Sequence, residues 1–305
     1  MTVSYVLTVY NKAAYLPAVL AAVAAEREST GGEIVIVDDG STDGSSEILG
    51  GFARGGIDIT VLHQSNKGVV SATNAGLRTA RLPYIRLIDG DDIIVQGSTR
   101  LLSTALEAAG SGFAFGRFAD YDLGAVQSDF PPASEGATVD ILRDPLADMI
   151  RMQLFIVSAT LGRKAVYDQV TPLPENYYIQ DTSLGLRLAT ATRIARVDEV
   201  CCYKARTAAE QISDNKARMF RDTTRITRDF LRSWPLRYQA AAVRRHATRA
   251  YHYARRHIPR SRLRCASLVA IRLLSYLPIA PLFPRYMSWI ADTYDMPVRD
   301  RRVFP

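Results

Sequence analysis

Acidic side chains crowd the end of segment 84–92, which has the sequence Tyr-Ile-Arg-Leu-Ile-Asp-Gly-Asp-Asp. The carboxylates of Asp89, Asp91 and Asp92 lie within four positions and repel one another unless a positive charge lies between them. A hard divalent cation takes oxygen ligands of this kind and keeps coordination positions for phosphate oxygens. A solvated acidic turn is the ordinary interpretation of an isolated Asp-x-Asp pattern. Because an apolar strand precedes the cluster and a second acidic strand end occurs earlier, the sequence favours a metal site.

The second acidic strand end consists of Asp38, Asp39 and Asp43, which follow the apolar run in 33–37. Such a run is typical of a strand that is buried on both faces of a parallel sheet. A third polar strand end, at 8–11, has the sequence Thr-Val-Tyr-Asn. Ligands of open parallel sheets bind beyond the carboxyl ends of the strands, so we expect the three ends to line one crevice. Asp43 fits a turn or helix-capping acid better than a ligand.

The elements that must position these side chains alternate between strands and helices. Strands are predicted at 3–9, 33–37, 57–62 and 84–88, and helices at 15–25, around 47–49 and at 69–80. Asn11 is the expected N-cap of the first helix. This alternation is typical of βαβ units and predicts an α/β fold with a mostly parallel sheet. The motifs G-x-G-x-x-G and G-x-x-x-x-G-K-[ST] are missing after the first strand, which argues against a dinucleotide enzyme and a P-loop NTPase.

The pattern is less regular beyond residue 97. It predicts helices at 101–108 and up to about 191, a loop at 124–138, and strands at 113–118, 154–157 and 197–203. From residue 214 the composition becomes basic, and no acidic residue occurs between Phe230 and Ala291. We therefore divide the chain into a domain of residues 1–213, with halves 1–96 and 97–213, and a basic, mostly helical extension of residues 214–305.

The composition permits a folded core and an anionic partner. The chain has 305 residues, of which 48% are hydrophobic and 23% charged, and its formal charge is +7. A nucleotide or a membrane surface would complement this charge; the residues form no RNA-binding signature, which argues against nucleic acid. Cys201 and Cys202 are adjacent, which favours core positions and a reducing compartment over a disulfide. The amino terminus is typical of a strand and not of a signal peptide, and no apolar run is long enough to span a bilayer, which predicts a cytoplasmic protein.

Four short motifs follow one another at predicted strand ends or turns. They are Thr-Val-Tyr-Asn at 8–11, Val-Asp-Asp-Gly-Ser-Thr-Asp at 37–43, Asn-Lys-Gly at 66–68 with Ala72, Asn74 and Gly76, and Asp-Gly-Asp-Asp at 89–92. In this order they resemble the signature of family 2 glycosyltransferases, closely over residues 3–95 and more loosely to about 213. The resemblance implies a GT-A fold and an inverting enzyme that depends on a nucleotide sugar. Helix packing explains Asn74 and Gly76 equally well.

The resemblance also implies roles for the matching positions. Tyr10 would contact the base of the nucleotide, and Asp39 would accept the N–H of a uracil ring. Asp91, supported by Asp89, would hold Mn²⁺ or Mg²⁺ against the diphosphate. The implied donor-binding residues are Thr8, Tyr10, Asn11, Asp39, Asn66, Lys67, Asn74, Asp89, Lys204 and Arg206.

Three positions depart from the usual pattern of the family. Gln180-Asp181 stands where members carry Glu-Asp at the start of a helix. The resemblance makes Asp181 the general base that takes the proton of the acceptor hydroxyl, whereas an ordinary N-cap is the alternative. The segment 203–206, Tyr-Lys-Ala-Arg, replaces Tyr-Arg-x-His and keeps positive charge for the diphosphate. Ala-Thr-Asn at 72–74 replaces Ala-Arg-Asn, so one arginine contact is missing.

The sequence therefore predicts an inverting glycosyltransferase that moves a sugar from a UDP-sugar to a saccharide or lipid-linked acceptor in the assembly of a polysaccharide or glycoconjugate of the cell envelope. A sugar nucleotidyltransferase is one alternative, but it would need a glycine-rich loop with a catalytic basic residue, which segment 10–12 does not supply. A non-catalytic nucleotide-sugar-binding or scaffold module is the other. The presence of Asp39, Asp91 and Asp181 argues against such a module.

The basic extension has two competing interpretations. Residues 214–290 would dock on an anionic membrane at the inner face of the cell membrane through arginines and interfacial side chains. The side chains expected at the interface are Trp234, Tyr251, Tyr253, Leu273, Leu274, Tyr276, Phe283 and Trp289. Alternatively, the extension packs on the catalytic domain or on a second subunit and leaves its arginines solvated.

Overall fold

The computed structural model of the chain describes residues 1–55, 58–134, 136–152, 155–206, 215–258, 261–276 and 281–296. These residues form two compact units. The sheet unit contains residues 1–145, 155–176 and 187–206, and the helical unit contains residues 146–152, 177–186 and the described residues from 215 onward. The boundary predicted after residue 213 lies outside the described residues and stays a prediction.

The sheet unit is built on one mixed sheet. Its strands are β1 (Val3–Val9), β2 (Gly32–Asp38), β3 (Ile59–His63), β4 (Tyr84–Asp89), β5 (Asp92–Ile94), β6 (Phe113–Tyr121), β7 (Val139–Ile141), β8 (Thr160–Arg163) and β9 (Ile194–Ala205). They are ordered β3-β2-β1-β4-β8-β6-β9-β5, and β7 pairs with β9. Strands β3, β2, β1 and β4 run parallel, as predicted. The second half of the sheet adds antiparallel pairs on β4, β6 and β9, which the prediction of a mostly parallel sheet did not contain.

Helices alternate with the strands and continue to the carboxyl end of the described chain. They are α1 (Leu16–Thr30), α2 (Ser45–Arg54), α3 (Val69–Thr79), α4 (Ser98–Ala108), α5 (Pro145–Met152), α6 (Lys164–Val170), α7 (Asp181–Ala191), α8 (Lys216–Leu231), α9 (Leu236–His257), α10 (Arg262–Leu274) and α11 (Phe283–Ala291). The predicted α/β fold with a helical carboxyl-terminal region is therefore confirmed. Among the described residues, no helix combines the length and apolarity that crossing a bilayer requires.

The apolar strands form the core of the sheet unit. Every residue of β1 is buried, and so are the residues of β2 after Gly32, as the continuous apolar runs predicted. Gly76 lets α3 approach this core, because a Cβ atom there would lie 2.4 Å from Cγ1 of Val6. The packing explanation of Gly76 is thus supported. Cys201 and Cys202 in β9 are fully buried, which confirms their predicted core positions.

A polar network not anticipated from the sequence links four elements inside the sheet unit. Arg86 of β4 is completely buried, 3.4 Å from a carboxylate oxygen of Glu26 in α1. Its guanidinium also donates to the carbonyl of Cys201 at 2.9 Å. Glu26 accepts from the backbone N–H of Thr99 at 2.9 Å and from that of Gly97, so it caps the first turn of α4. A buried ion pair with these additional hydrogen bonds fixes α1, β4, α4 and β9 to one another.

Two local predictions were wrong. The strand expected at 154–157 is absent from the part of it that is described; a 3-10 turn at Val157–Ala159 precedes β8 instead. The Phe155 ring packs against the rings of Phe113 and Phe115, with centroid distances of 5.1 and 5.6 Å, so this residue fills the core without pairing in the sheet. Asn11 does not cap α1, whose N-cap is Tyr15.

The helical unit has its own apolar core and an internal polar contact. The core contains Ile226, Leu231, Val243, Leu268, Phe283, Met287 and Ile290. Thr224 of α8 donates its hydroxyl hydrogen to a backbone carbonyl and therefore accepts from Nδ1 of the buried His246, 2.9 Å away. Burial, followed by the nearby Arg249 and Arg245, lowers the pKa of His246 well below its usual value and keeps the ring neutral.

Candidate active site

The carboxyl ends of three parallel strands meet at one edge of the sheet. Strand β1 pairs with both β2 and β4, and Thr8 lies opposite Asp89 in this register. The N–H of Asp39 donates to the carbonyl of Val9 at 2.8 Å, and the N–H of Gly90 donates to the carbonyl of Thr8 at 2.9 Å. The Thr8 hydroxyl reaches a carboxylate oxygen of Asp89 at 3.4 Å. The predicted convergence of Thr8, Asp39 and Asp89 is therefore observed.

Asp39 organises the loop that leads into α3. Its Oδ1 accepts from Nε2 of Gln64 at 2.7 Å and from the N–H of Lys67 at 2.8 Å, and its Oδ2 accepts from the N–H of Gly68 at 2.8 Å. An ionised carboxylate offers about four acceptor positions, so one position at Oδ2 remains for a further donor. Asp39 is buried and pre-oriented by its loop partners, which is what recognition of a ring N–H requires.

Asn66 belongs to the loop that Asp39 holds. Gly40 has a φ of 77°, and a Cβ atom on it would lie 2.8 Å from the backbone nitrogen of Asn66. Only glycine therefore lets the chain after Asp39 pass so close to Asn66. The predicted donor-binding residues Asn66 and Lys67 thus lie against the end of β2.

Asp38 has a structural function next to this site. Its carboxylate accepts from the N–H of Ser41 at 3.0 Å, from the Ser46 hydroxyl, and from Nδ1 of His63, 3.2 Å away. Burial opposes ionisation of Asp38, but the hydrogen bonds from Ser41, Ser46 and His63 outweigh burial and lower its pKa below the usual value. His63 ends β3, and Asp38 connects that strand end to the turn after β2.

Loop 10–13 is hydrogen bonded to loop 41–45. Asn11, with a φ of 51°, donates its N–H to a serine hydroxyl of the second loop at 3.0 Å and accepts from a threonine N–H at 2.9 Å. These bonds explain why Asn11 does not serve as a helix cap. Asp43 accepts from the backbone of loop 10–13 at 3.0 Å, so it is a turn acid, as expected. Tyr10 is half-buried directly before the fixed position of Asn11.

Lys12 supplies the positive charge that the acidic cluster requires. Its Nζ lies 3.0 Å from Oδ2 of Asp91, and the two side chains are only 10% and 12% exposed. The Tyr121 hydroxyl donates to the backbone carbonyl of Asp91 at 2.8 Å and so helps to fix the turn that carries Asp91. Sequence analysis did not assign Lys12 to the site. A signal was present, because Lys12 follows a polar strand end and crowded acids demand a cation.

Asp92 differs from the other two acids of the cluster. It is buried, and its carboxylate accepts from the hydroxyl of Ser158 at 2.6 Å, while that hydroxyl oxygen accepts from the N–H of Asp89 at 3.0 Å. Burial, followed by the charges of Asp91 and Asp89, raises the pKa of Asp92 well above its usual value. Asp92 pairs with Lys204 across β5 and β9. Burial and the neighbouring acids thus disfavour the charged form of Asp92.

Three predicted donor-binding residues lie in different surroundings. Lys204 faces the acidic cluster through its strand pairing, whereas Arg206 is exposed and lies 3.3 Å from the carboxylate of Asp122. Asn74 is buried in α3, where its amide donates to the carbonyl of Leu173 at 2.9 Å and accepts from the N–H of Leu173 at 2.8 Å. Asn74 therefore anchors the segment after α6, which supports the packing explanation.

Asp181 is the first residue of α7 and belongs, with residues 182–186, to the helical unit. The carbonyl of Gln180 accepts from the N–H of Leu184 at 2.9 Å and so begins the first helical turn. Gln180 is buried. The carboxylate at position 181 therefore lies where the helix dipole favours negative charge.

The carboxylates at the strand ends fit a divalent cation that takes only some of its ligands from the protein and the rest from a bound substrate. Among the described residues, no group of three or more His, Cys, Asp and Glu side chains is arranged to hold a metal ion. Sites for Mg²⁺ commonly use one or two carboxylates and take their remaining ligands from phosphates and water. Asp89 and Asp91 match that limited donor set.

Comparison with known proteins identifies the family. The family model for glycosyl transferase family 2 matches residues 4–170, which is more than half of the 305-residue chain. The chain belongs to this family. A curated relative, the glycosyltransferase GlyG of Streptococcus pneumoniae, is 33% identical over 121 residues, which cover 39% of this chain and 40% of GlyG. The chain spans less than half the length of such curated relatives.

Solved structures confirm the predicted GT-A fold. Residues 1–349 of TarS from S. aureus, in complex with UDP-GlcNAc, match with a TM-score of 0.65 and 17% identity, covering 96% of this chain and 89% of that one. The mannosyltransferase PcManGT from Pyrobaculum calidifontis, in complex with GDP-Man and Mn²⁺, matches with a TM-score of 0.56 and 16% identity over 95% and 85% of the two chains. At such identities, the similarity concerns the fold.

Proposed function

We propose that this glycosyl transferase family 2 chain moves a sugar from a UDP-sugar to a hydroxyl group of a saccharide or lipid-linked acceptor, with inversion at the anomeric carbon. The observation that carries the proposal is the convergence of Asp39, Asp89 and Asp91 at one sheet edge. A nucleotide sugar presents a base that a carboxylate can recognise and a diphosphate that cations can neutralise. At this edge, Asp39 would bind the base, and a cation held by Asp89 and Asp91 would neutralise the diphosphate.

The proposed recognition of uracil depends on Asp39. A uracil ring has one N–H donor, and the unused acceptor position of Oδ2 would receive it. Tyr10 and Asn11, on the loop held against 41–45, would lie beside the base and ribose. The complex of the fold relative TarS with UDP-GlcNAc supports a uridine donor. Lys67, Lys204 and the other predicted donor contacts remain part of this proposal.

The proposed metal ligands are Asp91 and Asp89. When bound there, Mn²⁺ or Mg²⁺ would neutralise negative charge that develops on the departing diphosphate. The Mn²⁺ in the PcManGT complex supports a divalent metal in this fold. Lys12 lies against Asp91 and would add positive charge on the same side of the diphosphate.

Asp181 is the proposed general base. Its carboxylate would take the proton of the acceptor hydroxyl while that oxygen attacks the anomeric carbon on the face opposite the diphosphate, so the glycosidic configuration inverts. A position at the first residue of α7 supports an ionised carboxylate. General base catalysis of this kind typically contributes about 10²–10⁴ to the rate.

Product analysis tests the proposed function. The purified chain is incubated with UDP-, GDP- and CMP-linked sugars, with Mn²⁺, and with saccharide and polyprenyl-phosphate acceptors. We expect nucleotide release from a UDP-sugar and, with the right acceptor, a product whose anomeric configuration is opposite to that of the donor by NMR. Retention of configuration, or a donor that is not UDP-linked, would overturn the respective part of the proposal.

A further inference from the structure

Helix α10 has apolar side chains on a face that the helical unit does not cover. Leu263 is 84% exposed and Leu273 is 63% exposed, while Tyr276, just beyond the helix, is 69% exposed. Val269 and Leu274 are also exposed. Monomeric proteins expose single apolar side chains routinely, but a contiguous group of this kind marks an interaction surface.

The exposed residues of α10 form one continuous face. At about 100° per residue, the apolar side chains that share this face occupy one arc of roughly 140°. They are Leu263, Ala266, Val269, Ala270, Leu273 and Leu274. The buried residues Leu268 and Ile271 lie on the opposite side of the helix. We call the exposed arc the outer face of α10.

Exposed arginines occur on α10 and on the helices that precede and follow it in the helical unit. Arg262 and Arg272 of α10 are exposed, as are Arg255 and Arg256 at the end of α9 and Arg285 of α11. No acidic residue occurs between Phe230 and Ala291. An exposed apolar arc on a helix that also carries exposed arginines is typical of a helix that lies in the interface of a membrane with anionic lipids.

We propose that the outer face of α10 docks this chain on an anionic lipid bilayer. The leucine side chains would enter the boundary between head groups and acyl chains, and Arg262 and Arg272 would contact lipid phosphates. The helix would lie on the membrane and not cross it, because its 13 residues extend only about 20 Å, against about 30 Å of hydrocarbon core.

A second copy of the chain is a less suitable occupant. In a two-fold symmetric dimer, the outer face would meet itself, so the same arginines of both copies would be brought together. The region offers no carboxylate between Phe230 and Ala291 to neutralise them. An anionic bilayer instead supplies the opposite charge and an apolar phase at once.

The set of contact residues is smaller than the sequence suggested. Tyr253 and Phe283 are buried in the helical unit and cannot enter a bilayer, because they form part of its core. The Trp289 ring is covered by the guanidinium of Arg264, 3.3 Å from the ring centroid. Leu273 and Leu274 remain available on the outer face. The proposal is independent of donor binding and catalysis.

Co-sedimentation of the full chain with vesicles tests the proposal. The vesicles are phosphatidylcholine alone or equal parts of phosphatidylcholine and phosphatidylglycerol, at low and high salt. We expect the wild type to pellet with anionic vesicles at low salt and to be released at high salt. Wild-type protein that stays in the supernatant with anionic vesicles at low salt overturns the proposal.

Variants locate the contact. Leu263→Ser with Leu273→Ser should weaken partition into anionic vesicles about tenfold or more, since both side chains lose apolar burial. Leu123→Ser, which changes an exposed leucine of the sheet unit, is the matched control and should bind like the wild type. Arg262→Gln with Arg272→Gln should weaken binding and flatten its salt dependence.

Two further outcomes contradict the proposal. If the double-leucine variant pellets like the wild type, α10 is not the contact. If only a concentration-dependent dimer in sedimentation velocity is lost in that variant, the outer face serves self-association. UDP binding, measured on the same samples, should be equal in all variants, so a failure of the donor proposal is recognised separately.

Discussion

Like charges are concentrated in two regions of this chain, and the two regions accommodate them differently. At the strand ends, Asp89, Asp91 and Asp92 lie close together. The ion pair of Lys12 with Asp91 and the hydrogen bonds of the buried Ser158 stabilise this arrangement. In the helical unit, several arginines are stacked on aromatic rings or paired with carboxylates. Arg264 covers the ring of Trp289, Arg249 lies over Phe220 at 4.9 Å, and Arg221 reaches Asp295 at 2.7 Å.

The two regions differ in whether their charges can still bind a ligand of opposite charge. Acids that remain crowded at one sheet edge repel one another, and a cationic ligand can relieve this repulsion. The guanidinium groups of stacked or paired arginines already interact with aromatic rings or carboxylates of the same chain, so they are less available to an external anion. The composition of residues 214–290 therefore overstates the basic surface, and the exposed arginines, among them Arg262 and Arg272 of α10, are the part that can attract an anionic partner.

The largest effect is expected from Asp181→Asn. Asn preserves the size and capping ability of the side chain but cannot take a proton, so we expect the transfer rate to fall about 10²–10⁴-fold with unchanged UDP-sugar affinity. Single-turnover transfer and isothermal titration measure the two quantities. Asp198→Asn, at an exposed position of β9, is the control for the same chemical change. Turnover within a few-fold of the wild type would remove Asp181 as the base.

The strand-end site was largely predictable from the sequence, because the alternation of strands and helices determines which strand ends share an edge. That rule predicts Thr8, Asp39 and Asp89 at one edge of the sheet, where the structure has them. Ser158 was not predictable, since it contacts Asp92 across 66 positions and lies in a short turn with no pattern of its own. The antiparallel half of the sheet was missed for the same reason.

The arginine-rich helices were predictable as helices but not in their contacts. Periodicity of basic residues shows that a helix forms, yet it does not distinguish Arg264, stacked on an indole, from the exposed Arg262 two positions earlier. The partner of each arginine comes from another helix, so the distinction depends on tertiary packing. The same limit explains why Tyr253 and Phe283 were assigned to the membrane.

Asp39→Asn should have the next largest effect on function, because this residue holds the loop and is the proposed contact of the base. Loss of a charged hydrogen bond of about 1.5–3 kcal/mol predicts UDP affinity lower by about 10- to 150-fold. Asp58→Asn, an exposed acid before β3, is the control. Titration of UDP measures the effect, and equal affinity for UDP in Asp39→Asn and wild type would show that Asp39 does not contact the base.

Lys12→Gln sharpens the comparison by removing the cation from the acid cluster. Without a metal, the buried Asp91 loses its partner, and we expect a loss of about 3 kcal/mol in the free energy of unfolding. Because a divalent cation can replace the ammonium charge, Mn²⁺ should restore much of this stability in the variant and add little to the wild type without nucleotide. Thermal unfolding with EDTA and with Mn²⁺ checks this; an equal response of both proteins to Mn²⁺ contradicts it.

The smallest effect is expected in the arginine-rich helices. Arg264→Met keeps an apolar stem but removes the charge over Trp289 and the hydrogen bond to Thr293, so unfolding free energy should fall by about 1–2 kcal/mol. Arg255→Met, at an exposed position, should stay within about 0.5 kcal/mol of the wild type. Urea denaturation compares the two variants. Equal midpoints would mean that the stacked arginine contributes no more to the free energy of unfolding than the exposed one.

The central claim is that the acids at the sheet edge bind a nucleotide diphosphate together with a divalent cation. Isothermal titration of UDP into the wild type and into Asp91→Ala, each with Mn²⁺ and with EDTA, tests it most directly. We expect UDP to bind the wild type with Mn²⁺, to bind much more weakly with EDTA, and to bind Asp91→Ala equally weakly in both conditions while the variant keeps its thermal transition. Wild-type protein that binds UDP equally well with Mn²⁺ and with EDTA would contradict the claim.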